Sequence, residues 1–345
     1  MPNIYVDPTS PLHLNNVLFE KSDAYNKNNC REPFQFLKEQ GIQHDLHFQT
    51  IDFWTPEKSK STDIYVSFDH KFFLRRLYWK VKHKWYPTVD TSKFAKRILF
   101  QFEPPVVMPE IRLYTNKVSD LYERAFFTWK TGNPKIKLFF TPLPIPEGGI
   151  FPDYWTRANR KFLTLINSNR KPPFRYKELL TERVKAILYF GKTQEIDLYG
   201  FGWDERPLFP YWFQKQKIAK VYRGSVKDKY KILSGYTFGF AFENCELPGY
   251  ITDKLFDCLY VGTIPIYLGA PDVAEYIPKN CFIDMRDFED YGALRTFLKS
   301  LSVAEIKAYR DNGRRFLQSK QVELFDKEHF VKTVFDACSI CKNQL

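Results

Sequence analysis

Long apolar runs are what this sequence most plainly lacks. No stretch reaches the roughly 18 consecutive apolar residues of a membrane-spanning helix, and the opening MPNIYVDPTSPLHLNN is neither an apolar signal core nor a basic amphipathic leader. A soluble, cytoplasmic chain is expected. Cysteine is scarce: Cys30, Cys245, Cys258, Cys281, Cys338 and Cys341 make six in 345 residues, scattered through apolar patterns rather than set in the dense framework of a small secreted scaffold. Reduced thiols follow. Only Cys338-Ser-Ile-Cys341 has metal-like spacing. Without a second pair or a histidine doublet nearby, it reads as a packed helix face ahead of a zinc or redox site.

Several chemical signatures are missing too. There is no G-x-G-x-x-G, Walker loop, H-E-x-x-H or G-x-S-x-G, so dinucleotide oxidoreductases, P-loop enzymes, zinc peptidases and typical serine hydrolases lose their usual markers. There is also no D-x-D. Any nucleotide-diphosphate chemistry is then left without the common acidic metal clamp and must stabilise its leaving group with protein cations and backbone dipoles. His44, His47, His70 and His83 form no triad with a cysteine or serine and receive no role.

What is present is aromatic and basic. With 33 Phe, 21 Tyr and a hydrophobic fraction of 44%, the chain can fill two globular cores and is expected to be ordered nearly throughout. The net charge of +12 favours anionic partners. Residues 70–87, HKFFLRRLYWKVKHKWYP, interleave Lys71, Arg75, Arg76, Lys80, Lys82 and Lys84 with aromatic rings. Such a stretch suits phosphates or the interfacial zone of a membrane, and equally a solvated basic helix or strand edge whose aromatics are core.

From Phe34 onward, helical patterns alternate with short apolar runs, the signature of a parallel sheet covered by helices. A helix over 33–40 is expected to stop at Gly41. Strands are expected at His47–Ile51, Ile64–Phe68, Arg97–Phe102, Ala125–Trp129 and Lys137–Phe140. The proline- and glycine-rich segment 141–149 reads as a linker. A second alternation follows, with strands at Lys161–Ile166, Ile196–Tyr199, Phe238–Phe242, Thr263–Leu268 and Phe282–Ile283. Its helices are expected at Thr181–Gly191, Lys227–Leu233, Ile251–Tyr260, 290–301, 303–318 and 326–342. These patterns predict two Rossmann-like domains facing one cleft, over 1–150 and 151–325. A helix over 326–345 is expected to pack back on the first.

The most informative stretch is FGFAFENCELPGYITDKLFDCLYVGTIPIYLGA, Phe238 to Ala270. A strand delivers Glu243 and Asn244 at its carboxyl end, where open α/β sheets place ligands. After the Pro248-Gly249 loop, Ile251, Leu255 and Leu259 mark a buried helix face, with Gly262 as stop. Lys254 sits in the first turn, where the macrodipole disfavours a cation unless an anion binds; an exposed lysine tolerated at small cost fits as well. Asp253 beside it is placed to accept from ribose hydroxyls.

The FEN, YITDKL and G-x-I-P-I-Y-L-G elements resemble the donor-binding signature of the α-1,3/4-fucosyltransferases, glycosyltransferase family 10. Asp253 stands where that family usually carries glutamate. The resemblance continues upstream through TLINSN and ERVKAILYFGKTQEIDLYG, and places Arg183 as a pyrophosphate-binding arginine. It also implies donor contacts from Ser168, Asn169, Tyr199, Glu243, Asn244, Tyr250, Asp253 and Lys254. FQFEPP resembles the segment whose glutamate, here Glu103, is the proposed base. From the residues alone, Asp69, Glu110, Glu123 and Glu243 stay open as acid or base, and Glu243 also as a structural partner of the helix.

The resemblance implies a bacterial-type soluble enzyme of the GT-B fold. It implies inverting transfer of L-fucose from GDP-fucose to a GlcNAc or Glc hydroxyl of an oligosaccharide or glycolipid such as a lipopolysaccharide O-antigen. No metal, cofactor or nucleic acid is expected, and the stretch 70–87 offers peripheral contact with the inner face of a membrane. Two alternatives remain: a transferase of this scaffold using another GDP-sugar, and a non-catalytic basic protein that binds nucleic acid or membrane.

Overall fold

A run such as Ile64-Tyr-Val-Ser-Phe68, buried at every position, has no face to offer water and becomes an interior strand of a parallel sheet. The computed structural model describes residues 2–21, 29–82, 86–87, 89–144, 150–171, 176–205 and 214–338. Two units result, one holding the chain up to Pro144 together with the segment from Phe325 on, the other spanning Ile145–Leu324. Both are α/β with a parallel sheet. His83, Lys84 and Trp85, residues 145–149 of the linker and Cys341 lie outside the described residues.

The first unit carries β1 (Asn3–Asp7), β2 (His47–Thr50), β3 (Ile64–Phe68), β4 (Lys96–Gln101), β5 (Arg124–Phe127) and β6 (Ile136–Leu138) in the order β2-β1-β3-β4-β5-β6. Strand β1 was not anticipated from the sequence, although four of its five positions are buried. Helices α1 (Glu32–Gln43), α2 (Phe73–Lys82) and α3 (Pro109–Asp120) belong to this unit. Gly41 does not stop α1. It lies inside the helix, where an added Cβ would come within 2.5 Å of the Phe48 ring, so its smallness serves close packing of α1 on β2.

The second unit carries β7 (Lys161–Ile166), β8 (Ile196–Tyr199), β9 (Tyr236–Phe242), β10 (Ile264–Leu268) and β11 (Ile283–Asp284) in the order β11-β10-β9-β7-β8. Its helices are α4 (Pro152–Trp155), α5 (Leu180–Gly191), α6 (Lys215–Ala219), α7 (Lys229–Leu233), α8 (Asp253–Tyr260), α9 (Tyr291–Ser300) and α10 (Val303–Leu317). Helix α8 begins two residues later than expected, because Thr252 is extended and serves as its N-cap. Helix α11 (Lys327–Ala337) returns to the first unit, where Phe330, Val331, Val334 and Phe335 join the core of Ile4, Phe48, Phe68 and Phe100. Cys338 is buried in that core.

Gly200, at the end of β8, shows a backbone requirement that the Asp-Leu-Tyr-Gly pattern only hinted at. Its φ is +130° and an added Cβ would lie 1.9 Å from the Asn167 carbonyl oxygen. Gly200→Ala is therefore expected to lower stability by about 3 kcal/mol or more, read as a lower midpoint in chemical denaturation.

Candidate active site

In the second sheet, β7 leads to β8 on one side and then, through a crossover, to β9 on the other, so the strand order reverses between β7 and β9. The carboxyl ends of strands at such a reversal are where open α/β sheets take ligands. Helix α5 sends a cation there. Leu180, Arg183, Val184 and Ile187 share one buried helix face, and Arg183 is only 2% exposed.

The guanidinium bridges the two strand ends. Its Nη1 donates to Asn167 Oδ1 (2.8 Å) just beyond β7, and its Nη2 to the Phe242 carbonyl (2.6 Å) and Asn244 Oδ1 (3.1 Å) at the end of β9. These acceptors are neutral. The buried Nε has no partner among the described residues. Burial pushes the guanidinium down to about 10, against the opposing pull of the Glu243 charge, so it remains a cation at neutral pH. A buried cation with neutral partners and an unused donor is suited to an oxyanion.

On the other side of the same strand end, Glu243 is fully buried and clasps the start of α8. Its Oε1 accepts from the Thr252 amide (2.7 Å), and its Oε2 from Thr252 Oγ1 (2.8 Å) and Lys254 Nζ (2.9 Å). The anion that balances Lys254 and this helix N-terminus is thus the protein's own carboxylate. Of the roles open to Glu243 in the sequence, the structural partner is the one its contacts display.

Asp253 also has a protein partner, Lys229, whose Nζ lies 3.0 Å from Asp253 Oδ2 and 2.6 Å from Asp257 Oδ2. Sequence reasoning missed Lys229, which sits on α7 in a lysine-rich segment where nothing marks it as buried. Burial works against the Asp253 charge, but Lys229 and then Lys254 outweigh it and hold its carboxyl below the usual range. For Asp257, burial wins over Lys229, and with the Asp253 charge beside it the carboxyl rises to about 7.

The native state then keeps a proton on Asp257 that the unfolded chain releases near its ordinary value of about 3.9. This contribution to stability is full below that pH and is lost as pH rises through about 7. Between these limits, the unfolding free energy of the natural chain is expected to fall by about 3–4 kcal/mol relative to Asp257→Asn. Denaturant titrations of both chains across the range check it.

The remaining expected donor contacts divide. Tyr250 is buried beside Arg183 and acts on its charge, and Asn244 touches the guanidinium directly. Asn169 is buried and ties the loop after β7 to the loop after β8, through its side chain to the Gly202 carbonyl (3.0 Å) and its amide to Phe201 (2.9 Å). Ser168 is half-buried between Asn167 and Asn169. Tyr199 is not brought to the Arg183 cluster; its hydroxyl meets that of Tyr236 (3.0 Å), which donates to Asp197 (2.7 Å). Asn167, which does hold Arg183, was overlooked although it lies inside the TLINSN segment.

In the first unit, Glu103 follows β4, half-buried and stiffened by Pro104 and Pro105. Asp69 fixes its backbone: Oδ1 accepts from the amides of Phe102 (2.7 Å) and Glu103 (2.8 Å) and from Gln101 Nε2 (2.8 Å), which in turn donates to the Glu103 carbonyl (2.9 Å). That work occupies Asp69 Oδ1. Of the other carboxylates open as acid or base, Glu123 pairs with Arg97 (3.0 Å), Glu110 faces Arg75 (3.9 Å) and Glu243 clasps α8. The strand reversal of this sheet, between β1 and β3, is filled by protein. Lys71, fully buried, donates there to the carbonyls of Phe68 and Asp69 and lies 3.9 Å from the Asp7 carboxylate.

Two α/β units, each with a parallel sheet, are the architecture of solved glycosyltransferases of the GT-B kind. An alpha-glucosyltransferase solved in complex with UDP shares the fold, with a TM-score of 0.55 at 11% identity over 98% of this chain and 99% of that one. The chain belongs to glycosyltransferase family 10 (fucosyltransferase), whose C-terminal model matches residues 160–344. It is similar to alpha-(1,3)-fucosyltransferase FucT of Helicobacter pylori, 37% identical over 87 residues that make 25% of this chain and 18% of the relative. It is also similar to GDP-fucose protein O-fucosyltransferase 3 of Xenopus tropicalis, 33% identical over 173 residues, 50% of this chain and 33% of that protein. Each match thus spans a third or less of the relative's length.

Proposed function

We propose that this chain transfers L-fucose from GDP-fucose to a hydroxyl of a GlcNAc or Glc unit on an oligosaccharide or glycolipid, lipopolysaccharide O-antigen included, forming an α-1,3 linkage with inversion. The observation that carries the reading is Arg183, a buried guanidinium with neutral partners and a free Nε at the β7/β9 reversal. Membership of family 10 and the GDP-fucose in a relative's name supply the donor class. The setting is the cytoplasm. Among the described residues no helix is long and apolar enough to cross a membrane.

In the proposed reaction the acceptor hydroxyl attacks C1 of fucose as Glu103 takes its proton, and the C1–O bond to the diphosphate breaks on the opposite face. The departing GDP gains negative charge. Arg183 meets it at the strand ends, and Lys254 turns part of its attraction from Glu243 to the phosphate, so that no metal is required. Incubation with GDP-fucose and a panel of lactose-type and N-acetyllactosamine-type acceptors, read by GDP release and product mass, tests the reading. Fucosylated product supports it. Transfer only from another GDP-sugar replaces the donor, and absence of thermal protection by GDP sinks the nucleotide site.

A further inference from the structure

Helix α2 presents its apolar side outward. Its ten residues, FLRRLYWKVK, include no acid. At about 100° per residue, Phe73, Leu74, Leu77, Tyr78 and Val81 fall on one arc, the pattern that ordinarily seats a helix on a core. Here the arc faces solvent, with Phe73 77%, Leu74 70% and Val81 74% exposed. The helix rests instead on Trp79, buried with its ring 5.2 Å from that of Tyr86.

The charges are sorted around this arc. Lys80 and Lys82 border it on its two sides and are exposed, while Arg75 and Arg76 turn away, toward Glu110 (3.9 Å) and Asp7 (4.0 Å). Exposed Leu113 and Tyr114 of α3 adjoin the start of α2, where the rings of Phe72 and Tyr114 are 5.9 Å apart. Single exposed apolar residues are ordinary; a cluster of this kind marks a binding surface.

We infer that α2 docks on an anionic lipid bilayer, with its apolar arc in the boundary between headgroups and acyl chains and Lys80 and Lys82 on the lipid phosphates. Long lysine stems follow apolar surface while their ammonium groups reach outward, and tyrosine suits the same boundary. Charge argues for lipid over a second copy of the chain. An isologous dimer would set this acid-free basic rim against itself, in a chain that already carries +12. The inference uses neither Arg183 nor Glu103, so it stands apart from the transferase reading.

The test is cosedimentation of the full chain with vesicles of phosphatidylcholine alone or with on the order of 30% phosphatidylglycerol, at about 0.15 M salt. The natural chain is expected to pellet with the anionic vesicles and about tenfold more weakly with the neutral ones. The variant Phe73→Ser/Leu77→Ser/Val81→Ser is expected to lose binding by about tenfold or more. Lys80→Glu/Lys82→Glu is expected to lose the preference for anionic lipid. Thermal melting of both is expected to match the natural chain, since the altered side chains face water; if the triple variant melts early, the lysine pair decides. The inference is overturned if the natural chain stays in the supernatant with anionic vesicles, or if both folded variants pellet as it does. It is equally overturned if sedimentation equilibrium shows a dimer that the triple variant dissociates, which would give the face to a second copy.

Discussion

Glu103→Gln is expected to lower fucosyl transfer by about 10²–10⁴-fold in turnover while leaving GDP binding unchanged. The amide keeps the shape and the hydrogen-bonding reach of the side chain but cannot take a proton from the acceptor. The segment itself should stay in place, because Asp69 holds the backbone amides of Phe102 and Glu103 and makes no use of the Glu103 carboxylate through those bonds. Initial rates with saturating GDP-fucose, set beside calorimetric GDP affinity, separate the two effects. Turnover within a few-fold of the natural chain would move the base elsewhere.

Arg183→Met carries the second large effect. Methionine fills the buried channel without the charge, so GDP affinity is expected to fall by about 2–3 kcal/mol and turnover by about 10²–10³-fold, the loss typical of one donor to a developing oxyanion. Stability is expected to move less than either. The Asn167, Phe242 and Asn244 oxygens lose their donor, but the cost of a buried guanidinium among neutral groups disappears with it. Arg183→Lys is not expected to rescue, because one ammonium cannot span both strand ends as the planar fork does. Calorimetry with GDP and GMP provides the specific readout: a diphosphate contact weakens GDP more than GMP, whereas general loosening of the site weakens both alike.

Much of the second unit was legible because each strand is a short apolar run with a turn at either end, and β7 and β8 fall where the pattern puts them. The first unit was harder. Strand β1 lies in an opening whose prolines and asparagines mask three good strand residues, Ile4, Tyr5 and Val6, and the interior glycine of α1 reads locally as a stop until Phe48 is seen against it. At the site, Arg183 in a charged helix looks like a surface residue. Its place on the face of Leu180, Val184 and Ile187 is a periodic signal that could have flagged a buried cation. Lys229 had no such signal, since its carboxylate partners lie 24 residues and more along the chain and meet it only by tertiary packing. Residue identity put Lys254 at an anion site but could not say that Glu243 already supplies the anion.

Helix α11 has a bearing on how the molecule is made. The second unit is one continuous stretch, complete when Leu324 has emerged, whereas the core of the first lacks Phe330, Val331, Val334 and Phe335 until synthesis has passed beyond it. The usual order of folding during translation, amino-terminal part first, is therefore reversed. The earlier-made strands β1 to β6 must wait, with the Phe48, Phe68 and Phe100 side uncovered, for a helix encoded more than 180 residues after β6. A nascent chain halted just before α11 carries a finished second unit and an open first unit, and that open unit is where chaperones would be needed.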